Sequence, residues 1–253
     1  MGDSLNGTVA LVTGASSGIG AAVARSLAAL GARVALVARR RSRLEALATE
    51  IAAAGGVALS LDADITEEDQ ARAVVSQAVA TWGRLDIVVN NAGVMLLGSV
   101  VDAPTEEWDR MVSLNLMGLL YVSHAALPHL LQAASGEPRR VADLVNVSSV
   151  AGRRTNALSG VYSLTKYGVG AFTEALRQEV TGRHVRVSVV EPGAVNTELR
   201  DHLRPEIREQ LARRAQFEAM EAEDIADAIA YIVTRPRRMA INELLVRPTG
   251  QEA

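Results

Sequence analysis

A glycine-rich turn between an apolar segment and a helix-like segment most strongly constrains the fold of this chain. Val9–Thr13 is a short apolar run that predicts a buried strand, and the turn GASSGIG (14–20) follows it directly. Ala21–Leu30 has the composition and spacing of a helix that ends at Gly31. Such glycines let the backbone approach a ligand, and the helix N-terminus presents N–H groups to phosphate. The alternative interpretation of this GxxxGxG turn is an ordinary flexible loop.

Strand-like and helix-like segments then alternate along the chain, without a linker or an internal repeat. This alternation predicts one doubly wound, parallel α/β sheet of the Rossmann type, in a single domain over residues 1–253. One charged stretch, Glu198–Glu221, is interrupted by Pro205 and is predicted to be mobile. The predicted strands after the first are 34–37, 57–61, 85–90, 144–147, 185–190 and 244–246, and the predicted helices are 42–54, 69–82, 104–132, 160–180 and 222–234.

Composition excludes several classes of function. The net charge of −3 and the pI near 5.9 give no electrostatic case for nucleic acid or a membrane surface. The absence of cysteine excludes disulfides, cysteine–metal sites and a thiol nucleophile, and the four histidines show no metal-ligand spacing. No uninterrupted apolar run approaches the roughly 18–20 residues of a membrane span. We therefore expect a cytoplasmic protein with no metal site.

The end of the second predicted strand indicates which dinucleotide would be bound. In a Rossmann sheet an acidic residue here binds the ribose 2′-OH of NAD, whereas arginine suits the 2′-phosphate of NADP. The strand ends in Ala38, and Arg39 and Arg40 follow it. These residues predict NADP(H), with Arg39 the better phosphate ligand and Arg40 the second. The alternative is that these arginines only begin the solvated face of the next helix.

Tyr162 and Lys166 lie four residues apart on the predicted helix Gly160–Val180. Lys166 is the only lysine among the 26 basic residues of the chain. The spacing places both side chains on one helix face, where an ammonium lowers the pKa of a neighbouring phenol. Such a pair would exchange protons near neutral pH. The alternative is that the single lysine is a chance remainder in an arginine-rich composition.

Six motifs, taken together and in order, resemble the short-chain dehydrogenase/reductase family. Within the family, NNAGVMLLG (90–98), LRQEV (176–180), EPG (191–193), TELR (197–200) and RPT (247–249) are similar to clavulanic acid dehydrogenase and related NADPH reductases. The chain departs from that group at 135–142 and in parts of 201–220. The six family motifs are TGxxxGxG (13–20), NNAG (90–93), Asn115, Ser149, YxxxK (162–166) and PG (192–193).

The resemblance implies a role for each catalytic residue. Tyr162 would protonate a carbonyl oxygen as hydride arrives from the nicotinamide, and Lys166 would lower its pKa and hold the nicotinamide ribose. Ser149, which lies 13 residues before Tyr162 as in the family, would bind the same oxygen and is preferred over Ser148. Asn115 would hold a water that links Lys166 to solvent.

The resemblance also implies cofactor and substrate sites, with 194–221 as a substrate loop. Gly20 would serve close helix packing. Arg153 would meet a substrate carboxylate, or it would be a solvated loop charge. The cofactor residues would be Gly14, Ser16, Ser17, Gly18, Ile19, Arg39, Arg40, Asp64, Ile65, Asn91, Ala92, Gly93, Tyr162, Lys166, Pro192, Gly193, Val195 and Thr197. The substrate residues would be Met95, Leu97, Ser149, Arg153, Leu158, Tyr162, Ala194 and Leu199.

Three functions fit these expectations. The first is NADPH-dependent reduction of a small aldehyde or ketone in secondary metabolism, with a clavulanate-aldehyde-like substrate. The second is NADP-dependent oxidation of a 3-hydroxy acid or another alcohol, and the third is a non-catalytic NADP-binding regulatory protein. By resemblance we expect a homotetramer or homodimer formed through helices 105–131 and 160–181.

Overall fold

A seven-stranded parallel sheet forms the centre of the computed structural model, which describes residues 5–214 and 217–252. The strand order is β3-β2-β1-β4-β5-β6-β7, and every neighbouring pair is parallel. The chain reverses its direction of winding between β1 and β4, as in a doubly wound sheet. The strands are β1 (Val9–Thr13), β2 (Arg33–Ala38), β3 (Val57–Asp62), β4 (Ile87–Asn90), β5 (Ala142–Val147), β6 (Val185–Pro192) and β7 (Glu243–Val246).

Helices cover both faces of this sheet. On one face α1, α2 and α8 share an apolar core with the strands, and on the other face α3, α5 and α6 do so. The strands read as nearly continuous aliphatic runs because both faces are covered. The predicted Rossmann fold is confirmed. The helices are α1 (Gly18–Ala29), α2 (Arg41–Ala53), α3 (Glu68–Trp82), α4 (Thr105–Val112), α5 (Leu119–Ala134), α6 (Gly160–Val180), α7 (Pro205–Arg214) and α8 (Ala222–Val233).

The region predicted as one helix over 104–132 is divided. A π-helical segment, Ser113–Gly118, separates α4 from α5 and carries Asn115. By length and apolar composition alone, the whole stretch Thr105–Ala134 would suffice to cross a bilayer; 39% of its most apolar window is buried. Because α5 contributes to the core beneath β4 and β5, we interpret the stretch as a core helix with an apolar outer face.

The charged stretch after β6 contains regular structure. A 3-10 turn, Glu198–His202, is followed by α7, which Pro205 begins rather than interrupts. Arg204 fixes the junction, because its guanidinium donates to the Leu97 carbonyl (3.4 Å) and pairs with Glu107 (3.2 Å). Mobility stays a prediction, and residues 215 and 216 lie outside the described part of the chain.

Buried ion pairs fasten the amino ends of four strands. Asp143 is fully buried and accepts from Arg186 (2.7 and 3.0 Å) and from Arg139 (2.8 Å). Asp86, equally buried, accepts from Arg84 (2.7 and 2.8 Å) and from the backbone N–H of Val9 (2.9 Å). Arg139 belongs to the loop 135–142, so this loop closes one of the two clusters. We call the two clusters together the amino-end cluster.

Candidate active site

A cleft of about 600 Å³ opens at the carboxyl ends of the strands, where the winding reverses between β1 and β4. This is where doubly wound proteins bind ligands. Its walls are the turns that follow β1, β2, β3, β4, β5 and β6, together with the start of α6. All eighteen residues predicted for the cofactor line this cleft, although their roles remain predictions.

The glycine turn is shaped for close backbone approach. Gly14 and Gly18 have φ angles of 67° and 50°, in the left-handed region that favours glycine. A Cβ on Gly20 would lie 2.3 Å from the carbonyl oxygen of Gly14, so α1 begins directly against the turn. This contact supports the predicted packing role of Gly20. Thr13 joins the turn to the segment after β4, because its hydroxyl accepts from the N–H of Asn91 (3.0 Å).

The two serines after β5 do different things. The Ser148 hydroxyl is buried and donates to the backbone carbonyl of Lys166 (2.9 Å), which ties β5 to α6. The Ser149 hydroxyl accepts from the N–H of Ala151 (3.1 Å) and hydrogen-bonds the Tyr162 phenol. Ser149 is therefore the serine beside the phenol, as its spacing predicts.

Burial governs the proton affinities of the tyrosine and the lysine. It raises the pKa of Tyr162 to about 12, although the hydrogen bond with Ser149 lowers it. Burial also lowers the pKa of Lys166 to about 8. The ammonium nitrogen lies 5.8 Å from the centroid of the tyrosine ring and donates to the carbonyl of Val147 (3.0 Å). Desolvation of the phenol dominates the pKa of Tyr162 in this structure, and the lowering effect expected of Lys166 stays a prediction.

Asn115 lies beneath the cleft and does not line it. Its side-chain oxygen accepts from the N–H of Val94 (2.8 Å), and its amide donates to the Val94 carbonyl (2.9 Å) and the Thr165 hydroxyl (3.1 Å). A Cβ on Gly93 would be 3.3 Å from the Asn115 oxygen and 3.7 Å from the Lys166 ammonium. Asn115 thus joins the segment after β4 to α6 close to Lys166.

The two arginines after β2 have different partners. Arg40 donates to the hydroxyls of Ser16 (2.9 and 3.1 Å) and Ser17 (2.7 Å) in the glycine turn. Arg39 is more exposed and lies 3.6 Å from the carboxylate of Asp64. Both border the cleft, and Arg40 is the one bound to the phosphate-type turn.

Among the residues predicted only for the substrate, Leu199 alone lines the main cleft within the described residues. Met95 and Leu97 lie in the neighbouring apolar cluster that includes the Tyr162 ring. The carbonyl of Leu158 accepts from the N–H of Gly98 (2.9 Å). Ala194 lies beyond β6, and its N–H donates to Gln251 (2.9 Å).

Arg153 is the clearest departure from the sequence expectation. Its Nε donates to both carboxylate oxygens of Glu191 (2.7 and 2.9 Å), and its Nη2 donates to Glu243. These carboxylates hold the guanidinium against β6 and β7, and it does not line the cleft. Arg153 is thus an exposed loop charge that pairs with carboxylates outside the cleft, and its role as a substrate ligand stays a prediction that these contacts do not support.

Sequence reasoning missed Glu198. Its carboxylate lines the cleft and pairs with Arg40 (2.8 Å) and Arg43 (2.7 Å). The one available signal was an acid directly after Thr197, on a turn that must face the arginine run after β2. Asp109, Arg110 and His202 also line the cleft and were not predicted.

The model of a known protein family, short chain dehydrogenase, matches residues 8–208 of the chain. The chain belongs to this family. The match spans every strand except β7 and contains all four residues predicted to be catalytic. The chain is therefore an oxidoreductase that acts on CH–OH or C=O groups.

Similar proteins extend the match to nearly the whole length of this dehydrogenase. An uncharacterized oxidoreductase of Staphylococcus saprophyticus is 36% identical over 246 residues, which is 96% of each chain. A metagenomic short-chain oxidoreductase crystallised in complex with NADP is 37% identical, with a TM-score of 0.80 over 96% of this chain and 98% of that one. A serine dehydrogenase in its closed form, complexed with NADP+, is 31% identical, with a TM-score of 0.85 over 97% of both chains.

Proposed function

We propose that this short-chain dehydrogenase transfers hydride between NADP(H) and a small carbonyl or alcohol, and that it reduces an aldehyde or ketone. One observation carries the proposal. Ser149, Tyr162 and Lys166 meet at the floor of a cleft whose rim is the glycine turn with its two serines and Arg40. A proton donor and a phosphate-type turn thus share one cavity of about 600 Å³.

The residues present fit NADP(H). The glycine turn has the positive φ angles and the crowded Gly20 that bring a backbone close to a pyrophosphate. Ala38 leaves the end of β2 without the carboxylate that would bind a ribose 2′-OH, and Arg39 and Arg40 follow it. The NADP in the metagenomic oxidoreductase and in the serine dehydrogenase supports the same choice. When bound, NADPH supplies the hydride.

The chain itself supplies and controls the proton. With its pKa near 12, the Tyr162 phenol is protonated at neutral pH and donates to a carbonyl oxygen that gains negative charge. The Ser149 hydroxyl stabilises that charge by hydrogen bonding. The Lys166 ammonium favours the phenolate once the proton has left. We keep the relay role of Asn115 as a proposal, which its closeness to Lys166 across Gly93 supports.

The substrate is proposed only by class. The partly buried apolar side chains packed against the Tyr162 cluster favour a small, largely apolar carbonyl compound; they include Met95, Leu97 and Trp108. The clavulanate-aldehyde-like substrate and a place in secondary metabolism stay predictions, since none of the relatives reported above is described in those terms. A 3-hydroxy acid is the second candidate, and the likeness to serine dehydrogenase favours it.

One experiment tests the proposal and separates the candidates. Purified protein is mixed with NADPH and a panel of aldehydes, ketones and 3-oxo acids, and oxidation of the cofactor is followed by its absorbance. The reverse assay uses NADP+ with serine and other 3-hydroxy acids. We expect turnover with at least one class and a lower KM for NADPH than for NADH. Tight NADPH binding with no turnover across both panels would instead indicate a non-catalytic binding protein.

We also propose a homotetramer or homodimer. Leu164 and Tyr167 expose 62% and 45% of their surface on α6, and several apolar side chains of Thr105–Ala134 are only partly buried. Burial of both helices against a second copy would remove this apolar surface from water. Light scattering coupled to size-exclusion chromatography measures the mass. A cytoplasmic location stays a prediction.

A further inference from the structure

Glu198 reaches across the mouth of the cleft. It begins the 3-10 turn after β6, whereas its partners Arg40 and Arg43 follow β2 on the other side of the sheet reversal. One carboxylate oxygen lies 2.8 Å from Arg40 Nη1, and the other lies 2.7 Å from Arg43 Nη1. A single anion therefore bridges the two walls between which the cofactor is proposed to lie.

The partners of Glu198 are those that would meet a phosphate. Arg40 also donates to the hydroxyls of Ser16 and Ser17, so carboxylate, guanidinium and hydroxyls form one network. Guanidinium forks and serine hydroxyls bind phosphate and carboxylate oxygens with the same geometry. Glu198 thus places a negative charge where Arg40 would otherwise be available to the 2′-phosphate.

The charge of this bridge is permanent, and its strength is modest. Hydrogen bonds from Arg40 and Arg43 lower the pKa of Glu198 to about 2, so the carboxylate is ionised throughout the neutral range. Its side chain is nevertheless 38% exposed, and those of Arg40 and Arg43 are 45% and 53% exposed. Water and salt screen ion pairs of this kind. A doubly charged phosphate can therefore displace the carboxylate.

We propose that Glu198 determines cofactor specificity, because its carboxylate competes with the 2′-phosphate of NADP(H) for Arg40 and Arg43. The inference rests on the proposed use of NADP(H). A ligand that carries the 2′-phosphate must break the ion pairs of Glu198 with Arg40 and Arg43. Their loss releases the turn Glu198–His202 from α2. A ligand without it leaves both ion pairs in place. The preference of the wild type for NADP(H) over NAD(H) is then smaller than Arg40 and Arg43 would give without Glu198.

The experiment isolates the phosphate from the reaction. Isothermal titration calorimetry measures the binding of adenosine 2′,5′-bisphosphate and of adenosine 5′-monophosphate to wild type and to Glu198→Gln. We expect the bisphosphate to bind about three- to tenfold more tightly to the variant, as two exposed ion pairs permit. Binding of the monophosphate stays unchanged. The gain shrinks as the salt concentration rises.

Two further variants serve as controls. Glu45→Gln removes a carboxylate that pairs with Arg41 of the same arginine run but lies outside the cleft lining. It should bind both nucleotides as wild type does. Glu198→Asp keeps the charge and should lie between wild type and Glu198→Gln. In wild type, limited proteolysis should cleave the segment 198–214 faster with the bound bisphosphate than with the bound monophosphate. In Glu198→Gln, cleavage should be equally fast with either nucleotide.

The outcomes separate this inference from the proposed function. If wild type binds the monophosphate and the bisphosphate equally well, and NADH as well as NADPH, then the proposed use of NADP(H) fails. If wild type prefers the phosphate but Glu198→Gln binds the bisphosphate with unchanged or weaker affinity, the competition is refuted while the function stands. Weaker binding would show that Glu198 orients Arg40 for the phosphate.

Discussion

The two ends of the central sheet both bury ionisable side chains, and they treat them in opposite ways. In the amino-end cluster, Asp143 and Asp86 each lie within 3.0 Å of guanidinium donors. At the carboxyl end, Tyr162 contacts the neutral hydroxyl of Ser149, and the Lys166 ammonium contacts the neutral carbonyl of Val147. The amino end thus pairs each buried charge with an opposite charge, whereas the carboxyl end leaves its buried ionisable groups beside neutral ones.

This difference shows how one fold separates stability from chemistry. Each buried carboxylate of the amino-end cluster pairs with arginine, and these ion pairs fasten neighbouring strands to one another. A buried phenol and a buried ammonium that contact neutral groups are shifted by desolvation, which moves their pKa values to about 12 and about 8. Groups with such shifts can exchange protons during a reaction, and the fold sustains their desolvation cost.

The largest expected effect is the loss of turnover in Tyr162→Phe. Removal of the phenolic proton should lower kcat by ~10²–10⁴, the usual contribution of a proton donor. Cofactor affinity, measured by calorimetry, should change little. Tyr167→Phe is the matched control, because Tyr167 lies on the same helix and is 45% exposed. Full turnover in Tyr162→Phe would refute the assignment of the proton donor.

The second effect belongs to the amino end. Asp143→Asn leaves Arg186 and Arg139 buried beside a neutral amide, and such a change should reduce the free energy of unfolding by ~3–5 kcal/mol. Denaturant titration measures this loss. The kcat of the folded variant at low temperature should equal that of wild type. Asp62→Asn, at an exposed strand end, is the control. A fall in kcat without a loss of stability would overturn the separation of the two ends.

The third effect is the titration of Lys166. Because the chain has one lysine, protein labelled with carbon-13 at the lysine ε carbon gives a single lysine signal. Its NMR midpoint should lie near 8 rather than at 10.5, since burial disfavours the ammonium. A midpoint at or above 10.5 would show that a counter-charge compensates the burial, as at the amino end.

The same shift sets the direction of a stability change with pH. The folded pKa of Lys166 is below its unfolded value, so the penalty for burying its charge is fully present below about pH 8 and is relieved as pH rises towards 10.5. Tyr162 acts the other way, because its neutral form is favoured in the fold and stability falls between pH 10.0 and about 12. Lys166→Met should abolish the rise in the free energy of unfolding between about pH 8 and pH 10.5, which amounts to ~1–3 kcal/mol.

Local patterns in the sequence predicted the fold and the position of the cleft. The turn after β1, the alternation of elements and the spacing between Ser149 and Tyr162 are all local or regular, and the structure gives the arrangement that they predict. Helix α6 has the predicted bounds because it is long and strongly periodic. No local pattern predicted that a π-helical segment divides 104–132. Asn115, within that segment, faces inward and contacts Val94 and Thr165, which are distant from it in the sequence.

Pairings between distant charges could not be predicted from the sequence. Arg153 meets Glu191 and Glu243 only because β6 and β7 are neighbours in a particular register, and Glu198 meets Arg40 only because the winding reverses between them. The pKa of Tyr162 depends on the depth of its burial and on its hydrogen bond with Ser149. Neither follows from four-residue spacing alone.

The smallest expected effect concerns the rim where the carboxyl end meets solvent. Ala38→Asp combined with Arg39→Ala places a carboxylate at the end of β2 and removes one guanidinium. The ratio of kcat/KM for NADPH to that for NADH should fall about tenfold or more, because a carboxylate that accepts a hydrogen bond from the ribose 2′-OH replaces attraction of the phosphate. Both positions are partly or fully exposed, so the free energy of unfolding should change by less than about 1 kcal/mol, unlike in Asp143→Asn. An unchanged ratio would mean that Arg40, Ser16 and Ser17 bind the 2′-phosphate without Arg39. The preference for NADPH would then depend on the hydrogen-bond network to which Glu198 belongs.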